Sequence, residues 1–432
     1  MSDTLVESRS IYLDLHKKHL EMGKPSLADF QEAALNRFEL LGFPHSKHEM
    51  YTFLNTKALA QASFSFADGS ANVSAEFIQS HIYPSCENKC IVFVDGVFNE
   101  KLSRFEELNL SPLSKAVSEK VLKDYLSESI ENENDVFASL STAFCNDGMV
   151  FKIGDNTQIS DTVQVLFVST GNSSGPVMHT PRLIWQVGKM SEVKVIKKFV
   201  GTEGGYFINS VQDWFLEEGA GVTFTQIQAD HFDSWHFSKL NIHLKRNARF
   251  YSSNASSGTK LARHHYKVRL QEEGSELRMN GVSVLDEKEQ VHNFVRIHHE
   301  APQCVSHQHF KNIVNGQARS GFDGTVIVDQ DAQLTNSNQL INNLMLSNDC
   351  HADNKPNLMI FADDVKCTHG ATIGQIDKDQ LFYLQTRGLS KKLAKELLTR
   401  SFAKSIIQTI EFPEVVSELN DTLLRKLEGT HA

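Results

Sequence analysis

The run "QLTNSNQLINNLMLSN", residues 333–348, is the segment of the sequence that bears most directly on the fold. It is rich in asparagine and glutamine, whose amides hydrogen-bond to one another when neighbouring strands stack in register. A β-solenoid stacks its strands in this way, one turn upon the next. The run therefore favours a β-solenoid over a large β-sandwich or a propeller, although no strict repeat is visible.

Apolar residues alternate with polar or smaller ones throughout the surrounding region, residues 160–365. The alternating sets are Val163/Val165/Phe167, Leu240/Ile242/Leu244, Tyr266/Val268/Leu270, Leu277/Met279 and Leu358/Ile360/Ala362. A period of two is typical of β-strands, and turn signals such as "EEGS" and "FDGT" separate many of these segments. Since no helical pattern of useful length interrupts the region, a doubly wound α/β fold is excluded.

Helical periodicity lies on both sides of this β region. In "PSLADFQEAALNRFELLGFP" (25–44), Ser26 is predicted to cap a helix that ends at Gly42. Near the C-terminus, Ser390 is predicted to cap another helix. Its apolar stripe consists of Ala394, Leu398, Phe402, Ile406 and Ile410, and a second stripe consists of Val416, Leu419, Leu423 and Leu427. Such stripes are buried either against the chain's own β body or in a partner's groove.

Charge and composition exclude several classes of protein. The chain has 43 Lys and Arg against 53 Asp and Glu, a net charge of −10, which argues against binding to nucleic acid or to an anionic membrane surface. The N-terminal segment has no apolar signal-peptide core, and no stretch is long and apolar enough for a membrane span. Six cysteines in 432 residues do not suggest a disulfide framework, so a reduced, cytoplasmic protein is expected.

Short motifs give little support to nucleotide hydrolysis or to a zinc site within this chain. The sequence has no G-x-x-x-x-G-K-[ST], and "GTEGGY" (201–206) lacks the lysine and the helix of a phosphate-binding loop. Any ATP hydrolysis in which the protein takes part is therefore expected on another chain. Cys86 and Cys90 form a pair with no second pair nearby, and a structural role is favoured over zinc binding.

Histidines concentrate in "HHEAPQCVSHQHF", which contains His298, His299, Cys304, His307 and His309. Strand alternation places Cys304 on one face and His307 with His309 on the other, so the stretch does not supply one compact metal site. Surface histidines or hydrogen-bonded histidines are the favoured interpretation.

Asp363 and Asp364 raise the alternative of a carbohydrate-active β-helix enzyme, because such hydrolases use carboxyl groups as acid and base. Adjacent residues of a strand point to opposite faces, however, so one sheet face would not present both carboxylates. A polar strand edge is the favoured interpretation of this pair.

Cys367 and His369 stand two residues apart in "DDVKCTHGAT" (363–372). On a β-strand, residues i and i+2 share a face, so the sulfur and the imidazole are predicted to lie side by side. Two ligands do not close a site, because zinc and iron–sulfur clusters generally take four protein ligands or leave a position open. From spacing alone, the pair is either half of a metal site or a structural pair.

Longer segments of the sequence resemble the SufB/SufD family of iron–sulfur cluster assembly proteins. The strongest resemblance lies in "NKPNLMIFADDVKCTHGATIGQIDKDQLFYLQTRGLS" (354–390), and "GFDGTVIVDQDAQLTNSNQLINNLMLS" (321–347) is also similar. Weaker resemblances at 40–56, 93–103, 180–188 and 298–311 extend the match over nearly the whole chain. Within the family, "KCTHG" is similar to the SufD pattern, whereas SufB-like chains typically have His-Glu-Ala-Thr at this place.

The resemblance implies a mainly β fold, with a right-handed parallel β-helix core flanked by helical N-terminal and C-terminal regions. The expected domains are an N-terminal helical region (1–75), the β-helix core (76–375) and a C-terminal helical region (376–432). The implied partners are a SufB-like subunit, paired through the β-helices, and the ATPase SufC, held by the C-terminal helices. The predicted SufC-binding residues are Leu398, Phe402, Ile406 and Ile410. A homodimer is an alternative when SufB is absent.

The implied chemistry is the assembly of a transient iron–sulfur cluster at the interface with SufB. His369 corresponds to the SufD histidine implicated there and is expected to act with a cysteine of SufB. Cys367 is either a second ligand or a neighbour on the same face, and flavin is left unassigned. Thiolate and imidazole both suit iron. A cytoplasmic scaffold without enzymatic activity is thus expected, against the alternatives of a carbohydrate-active enzyme and an inert structural subunit.

Overall fold

The structure is a computed structural model that describes residues 3–22, 24–44, 48–66, 73–146, 148–171 and 176–428. Within these ranges the α-helices are α1 (Asp3–Met22), α2 (Ala28–Leu41), α3 (Lys57–Gln61), α4 (Ala75–Ser80), α5 (Leu113–Ala116), α6 (Lys120–Glu131), α7 (Val136–Ala143), α8 (Lys378–Thr386), α9 (Lys391–Ile407) and α10 (Pro413–Glu428). Short 3-10 helices occupy Pro25–Leu27, Glu49–Tyr51, Pro84–Cys86 and Glu100–Leu102.

Strands make up most of the chain between α4 and α8, and one short strand, β1, precedes α4. They are β1 (Ser65–Phe66), β2 (Lys89–Val94), β3 (Val97–Phe98), β4 (Arg104–Phe105), β5 (Asn109–Pro112), β6 (Gly148–Ile153), β7 (Val163–Ser169), β8 (Val177–His179), β9 (Arg182–Val187), β10 (Glu192–Gly201), β11 (Tyr206–Leu216), β12 (Gly221–Ala229), β13 (Ser234–Leu244), β14 (Arg249–Ser256), β15 (Leu261–Leu270), β16 (Glu276–Leu285), β17 (Gln290–His299), β18 (Val305–Val314), β19 (Arg319–Val328), β20 (Asn336–Met345), β21 (His351–Ile360) and β22 (Lys366–Gln375).

The long strands form two sheets that the chain enters in turn. Sheet I has the order β21-β19-β17-β15-β13-β11-β9-β6-β5, and sheet II has the order β22-β20-β18-β16-β14-β12-β10-β7-β2-β3. From β9 to β22, neighbours in each sheet are separated in sequence by one strand of the other sheet, so each turn of the chain adds one parallel strand to both. At the other end, the pairs β2–β3 and β5–β6 are antiparallel. The body is a parallel β-solenoid of about seven turns, with helices in the N-terminal and C-terminal regions of the chain, so the predicted fold class is confirmed.

In-register stacking places like side chains above one another inside the solenoid. Trp185 lies between Phe151 and Trp214, with ring centroids 3.8 and 4.7 Å apart and interplanar angles of 5° and 11°. The strands carrying these rings are parallel neighbours in sheet I, and the strand spacing of about 4.8 Å sets the separation of stacked groups. The aromatic stack fills the interior of the first turns with buried apolar surface.

Polar side chains stack in the same way toward the other end of the solenoid. Gln339 Nε2 donates to Gln308 Oε1 (3.4 Å), and Asn312 Nδ2 donates to Asn343 Oδ1 (2.9 Å), both over a sequence separation of 31 residues. All four residues are buried. Gln339 and Asn343 belong to the quoted run 333–348, so the predicted amide stacking between turns is confirmed.

The C-terminal helices pack against sheet II. Ile406 of α9 is 2 % exposed and packs in one cluster with Val282 and Ile313 of the strands, while Ile410 packs with Ile196 and Ile227. The chain's own strands cover Ile406 and Ile410 in this structure, while their predicted contact with SufC stays a prediction. The division of the chain at residues 75 and 375 into domains stays a prediction.

The predicted helix ends are correct in two of three places. Gly42 ends α2 with a φ of 68°, and its N–H donates to the carbonyl of Phe38. Ser390 caps α9, because its hydroxyl oxygen accepts from the N–H of Leu393 (3.2 Å). Ser26 does not cap α2, since a 3-10 turn precedes the helix and the Ser26 hydroxyl donates instead to the carbonyl of Ser114 (2.8 Å).

A buried carboxylate fastens the N-terminal helices to sheet I. Asp135, at the start of α7, accepts from Tyr51 Oη (2.7 Å) and Arg263 Nη1 (2.7 Å), and its Oδ2 lies 2.5 Å from Nδ1 of His265. Burial opposes its charge, but the Arg263 guanidinium and the contact with His265 together hold the pKa of Asp135 well below its usual range. Removal of one partner would leave an uncompensated buried charge.

Trp185→Ala is expected to lower the free energy of unfolding by about 3–5 kcal/mol, because it removes the middle ring of the aromatic stack and leaves a cavity. Chemical denaturation followed by circular dichroism measures the change. The matched control is Phe232→Ala, whose ring is 65 % exposed and whose loss is expected to cost less than about 0.5 kcal/mol. Equal losses for the two variants would show that the stack does not stabilise the body.

Candidate functional site

The last turn of the solenoid has two strand edges without a strand partner among the described residues. β22 pairs with β20 on one side and ends sheet II, while β21 pairs with β19 and ends sheet I. Most residues of β22 are exposed, unlike those of the inner strands. A sheet edge of this kind presents a row of free N–H and C=O groups that can pair with another strand.

Cys367 and His369 lie on β22 and face the same side. Their register partners on β20 are Ser337 and Gln339, which are buried inside the solenoid. Both side chains therefore extend from the interior side of the last turn, as the two-residue spacing predicts. His369 is exposed and Cys367 is half-buried, because no further turn covers them.

The environment of Cys367 keeps its sulfur protonated. The side chain packs against the cluster of Val326, Val328, Ala332 and Ala362. This burial raises the pKa of the Cys367 thiol above its ordinary value, although a backbone hydrogen bond involving Ser337 opposes the shift. A metal ion that binds the sulfur must displace the proton, so binding would release it.

Cys367 and His369 are the two candidate ligands that the last turn presents on one face. Among the described residues, no group of three or more His, Cys, Asp and Glu side chains is arranged to hold a metal ion. A cysteine and a histidine supply soft and borderline ligands that iron accepts, but a cluster generally takes four protein ligands. Cys367 and His369 would therefore need ligands from elsewhere to complete a cluster site.

The pair Cys86 and Cys90 lies in apolar surroundings. Cys86 packs with Tyr83, Ile410 and Phe412, and Cys90 is fully buried on β2. Burial raises the pKa of each thiol to about 12. Neither cysteine forms a disulfide, and both pack as core residues, in agreement with the structural role favoured for them.

The side chains of the histidine-rich stretch lie on different faces, as strand alternation predicts. His299 and Cys304 are fully buried, whereas His307 and His309 lie on the outer face of β18. His309 Nε2 donates to Asn342 Oδ1 (2.8 Å), and burial lowers the pKa of His299 to about 3. The stretch therefore contains hydrogen-bonded and core histidines, and it brings no compact ligand set together.

Asp363 and Asp364 lie in the turn between β21 and β22, so the prediction of a polar strand edge is wrong in its detail. The carbonyl of Asp364 accepts from the N–H of Leu334 (2.7 Å), and its own N–H donates to Gln333 Oε1 (2.9 Å). These contacts join the turn to the one beneath it. Their carboxylates are exposed on this turn, away from any sheet face.

Exposed apolar side chains around the last turn were not predicted from the sequence. Met359, Ile360 and Phe361 at the end of β21 and Ile373 on β22 are all exposed, Phe361 by 60 %. The signal that could have identified them is "LMIF" (358–361), where four apolar residues break the alternation. Exposed apolar groups beside an unpaired strand edge are typical of an interface with another chain.

Comparison with known proteins agrees with this architecture. A family model described as SUF system FeS cluster assembly, SufBD core domain, matches residues 167–402, and a model of the SufBD protein N-terminal region matches residues 6–165. The chain belongs to the SufBD family. Its resemblance to that family, inferred from the sequence, is therefore confirmed.

Two relatives illustrate how far the similarity extends. An iron–sulfur cluster assembly SufBD family protein of Synechocystis is 30 % identical over 91 % of this chain and 89 % of its own. The iron–sulfur cluster assembly protein SufD of Escherichia coli is 25 % identical over 90 % of both chains.

Among the described residues, no helix of this SufBD protein is both long and apolar enough to cross a membrane.

Cys367 is expected to be the first cysteine to react when the native protein is treated with iodoacetamide, because the other five are buried. Since burial raises its thiol pKa, the rate should be low at pH 7.5 and rise about tenfold per pH unit below that pKa. Mass spectrometry of the alkylated peptides measures the order of reaction. Cys367→Ser should remove the fast phase, and fast labelling of Cys304 in its place would contradict the burial described for these thiols.

Proposed function

We propose that this SufBD protein is a SufD-like scaffold subunit, without ATPase activity, that assembles iron–sulfur clusters at an interface shared with a SufB-like subunit. The observation that carries the proposal is the position of Cys367 and His369 on β22, whose outer edge has no strand partner among the described residues. A site on such an edge becomes complete when a second chain pairs with it. Family membership and the names of the relatives support an iron–sulfur cluster as the cargo.

Strand addition explains how the second chain would bind. The unpaired edges of β21 and β22 offer backbone donors and acceptors to a partner's strands, so main-chain hydrogen bonds would supply affinity. The exposed side chains of Phe361 and Ile373 would lose water in the same step. When a SufB-like partner is absent, the same edges are available to a second copy of this chain.

The ligands of the cluster would come from both chains. His369 would bind through an imidazole nitrogen, and Cys367 would bind as a thiolate or support His369 from the same face. The partner would supply at least one cysteine. Mixed ligation by two chains leaves a cluster that is easier to transfer than one held by four cysteines of a single chain. The cluster is thus cargo, and flavin stays unassigned.

The C-terminal helices would hold an ATPase subunit of the SufC type. Of the four residues predicted for this contact, Leu398 and Phe402 are half-buried, and Ile406 and Ile410 are covered by the solenoid. The apolar groups that remain available on α8 and α9 are Phe382, Tyr383, Leu393 and Leu397, each exposed by about half or more. We assign the docking surface to these four residues, which we call the α8–α9 surface.

His369→Ala is expected to lower the iron and sulfide content of the co-purified complex by at least about tenfold, while the subunits stay associated through backbone pairing. The complex is produced with SufB-like and SufC-like subunits, and iron and acid-labile sulfide are measured per complex. The matched control is His351→Ala, which removes another exposed histidine of the last turn, on β21.

Three outcomes of this experiment are informative. Loss of cluster in His369→Ala but not in His351→Ala supports the ligand assignment, and an additional loss in Cys367→Ser adds the sulfur to the ligand set. Normal iron and sulfide in His369→Ala contradict the assignment. Dissociation of the subunits in His369→Ala would instead make the residue structural and favour an inert subunit.

Leu393→Asp combined with Leu397→Asp is expected to weaken binding of the ATPase subunit by at least about tenfold, because charges replace two exposed apolar contacts of the α8–α9 surface. A pull-down and surface plasmon resonance measure the loss. Leu40→Asp, at a leucine of α2 that is 74 % exposed, is the control and should bind normally. Unchanged binding by the double variant would refute the docking assignment.

A further inference from the structure

A cleft on the outside of sheet I is independent of the last turn and of the α8–α9 surface. It lies between α6 and the C-terminal ends of several strands of sheet I, and it has a volume of about 440 Å³. The residues that line it include Tyr125, Gln186, Phe215, His243 and Gln271. We call it the α6 cleft. Its size falls within the range of about 300–1,000 Å³ that is typical of small-molecule sites.

Aromatic rings form one wall of the α6 cleft. Phe215 and His243 occupy register positions on adjacent strands, and their rings are stacked with centroids 5.0 Å apart and planes at 12°. Tyr125 of α6 meets Phe215 edge-on at 4.7 Å and 90°. The hydroxyl of Tyr125 donates to Asp213 Oδ1 (2.8 Å), which fixes the tyrosine in place. The wall is therefore rigid before any ligand binds.

The stack of Phe215 and His243 ends inside the α6 cleft. The register partner of Phe215 on the other side is Gln186, followed by Lys152 on the next strand. Neither side chain carries a ring, although the strand spacing of about 4.8 Å suits stacked planar groups. A planar ligand ring that bound over Gln186 would extend the stack of the Phe215 and His243 rings.

The uncharged polar groups that line the α6 cleft include the side-chain amides of Gln186 and Gln271 and the ring nitrogens of His243. All three side chains are half-buried and reach the cleft surface. Burial lowers the pKa of His243 to about 4, so the imidazole is neutral at pH 7 and offers one donor and one acceptor. Amides likewise offer a donor and an acceptor each, a set that matches the edge of a nitrogen heterocycle.

The positive charges at the cleft are already neutralised. Lys152 Nζ donates to Glu119 Oε1 (2.5 Å), and Lys245 Nζ donates to both carboxylate oxygens of Glu217 (2.9 Å each). An anionic group would have to displace one of these carboxylates. The charge distribution therefore favours an uncharged ligand over a phosphorylated one.

We propose that the α6 cleft of this protein binds an uncharged planar heteroaromatic group of about the size of a purine nucleoside. The aromatic wall of Tyr125, Phe215 and His243 contacts the ring, and the amides of Gln186 and Gln271 bind its polar edge. The site does not depend on the proposed function at β22, because the residues of the two sites lie on different sheets.

Isothermal titration calorimetry of the full-length chain with adenosine and with guanosine tests the proposal. At least one nucleoside is expected to bind with one-to-one stoichiometry. AMP is titrated in parallel and is expected to bind no more tightly than adenosine, because Lys152 and Lys245 are paired. The absence of saturable binding by both nucleosides at 1 mM would overturn the proposal. Binding of AMP more than tenfold tighter than adenosine would overturn its uncharged character.

Variants then locate the binding site. Phe215→Leu is expected to weaken binding about tenfold or more through the loss of stacking, and Gln271→Leu about threefold through the loss of a hydrogen bond. Gln317→Leu, at an exposed glutamine outside the cleft, is the matched control and should bind like the unaltered chain. Thermal unfolding verifies that each variant is folded, and Gln186→Leu serves in its place if Phe215→Leu is not. Equal affinity of the cleft variants and the control would place binding elsewhere and refute the assignment.

Discussion

In-register stacking of parallel strands is the constraint on which the other features of this protein depend. It places Trp185 between two further rings and Gln339 above Gln308. Apolar and polar side chains therefore both contact identical or similar side chains of the adjacent turn. The same geometry has a consequence at the end of the solenoid. Each turn satisfies the backbone groups of the turn before it, and the last turn has no successor among the described residues. Strand pairing between turns therefore stabilises the body and also leaves an edge without a strand partner at its end. That edge carries Cys367 and His369.

Several parts of this architecture follow from the sequence because they depend on local periodicity. Alternation with a period of two predicts the strands and places Cys367 and His369 on one face, since neither inference needs knowledge of what packs against them. The amide run 333–348 predicts stacking because its side chains require like partners. The burial of His299 and Cys304 apart from His307 and His309 follows from the same alternation.

Other parts could not be predicted, because they depend on contacts between distant segments. A helical stripe shows which face of α9 is apolar, but it does not show whether strands or a partner cover Ile406 and Ile410. Serine is a common helix cap, but the hydroxyl of Ser26 donates to the carbonyl of Ser114, 88 residues away in the sequence. The α6 cleft could likewise not be predicted from the sequence. Phe215 and His243 come together only through the register of two strands, and without a strict sequence repeat that register is unknown.

We propose that the last turn supplies a histidine nitrogen to a cluster that another chain completes. The most direct test labels only this chain with ¹⁵N-histidine, assembles it with unlabelled partners, and records pulsed electron paramagnetic resonance of the reduced cluster. If His369 binds the cluster, a ¹⁵N hyperfine coupling from its imidazole is expected that disappears in His369→Ala and persists in His351→Ala. A cluster present in full amount without any ¹⁵N coupling would contradict the claim, because all of its ligands would then come from the partner or from sulfur.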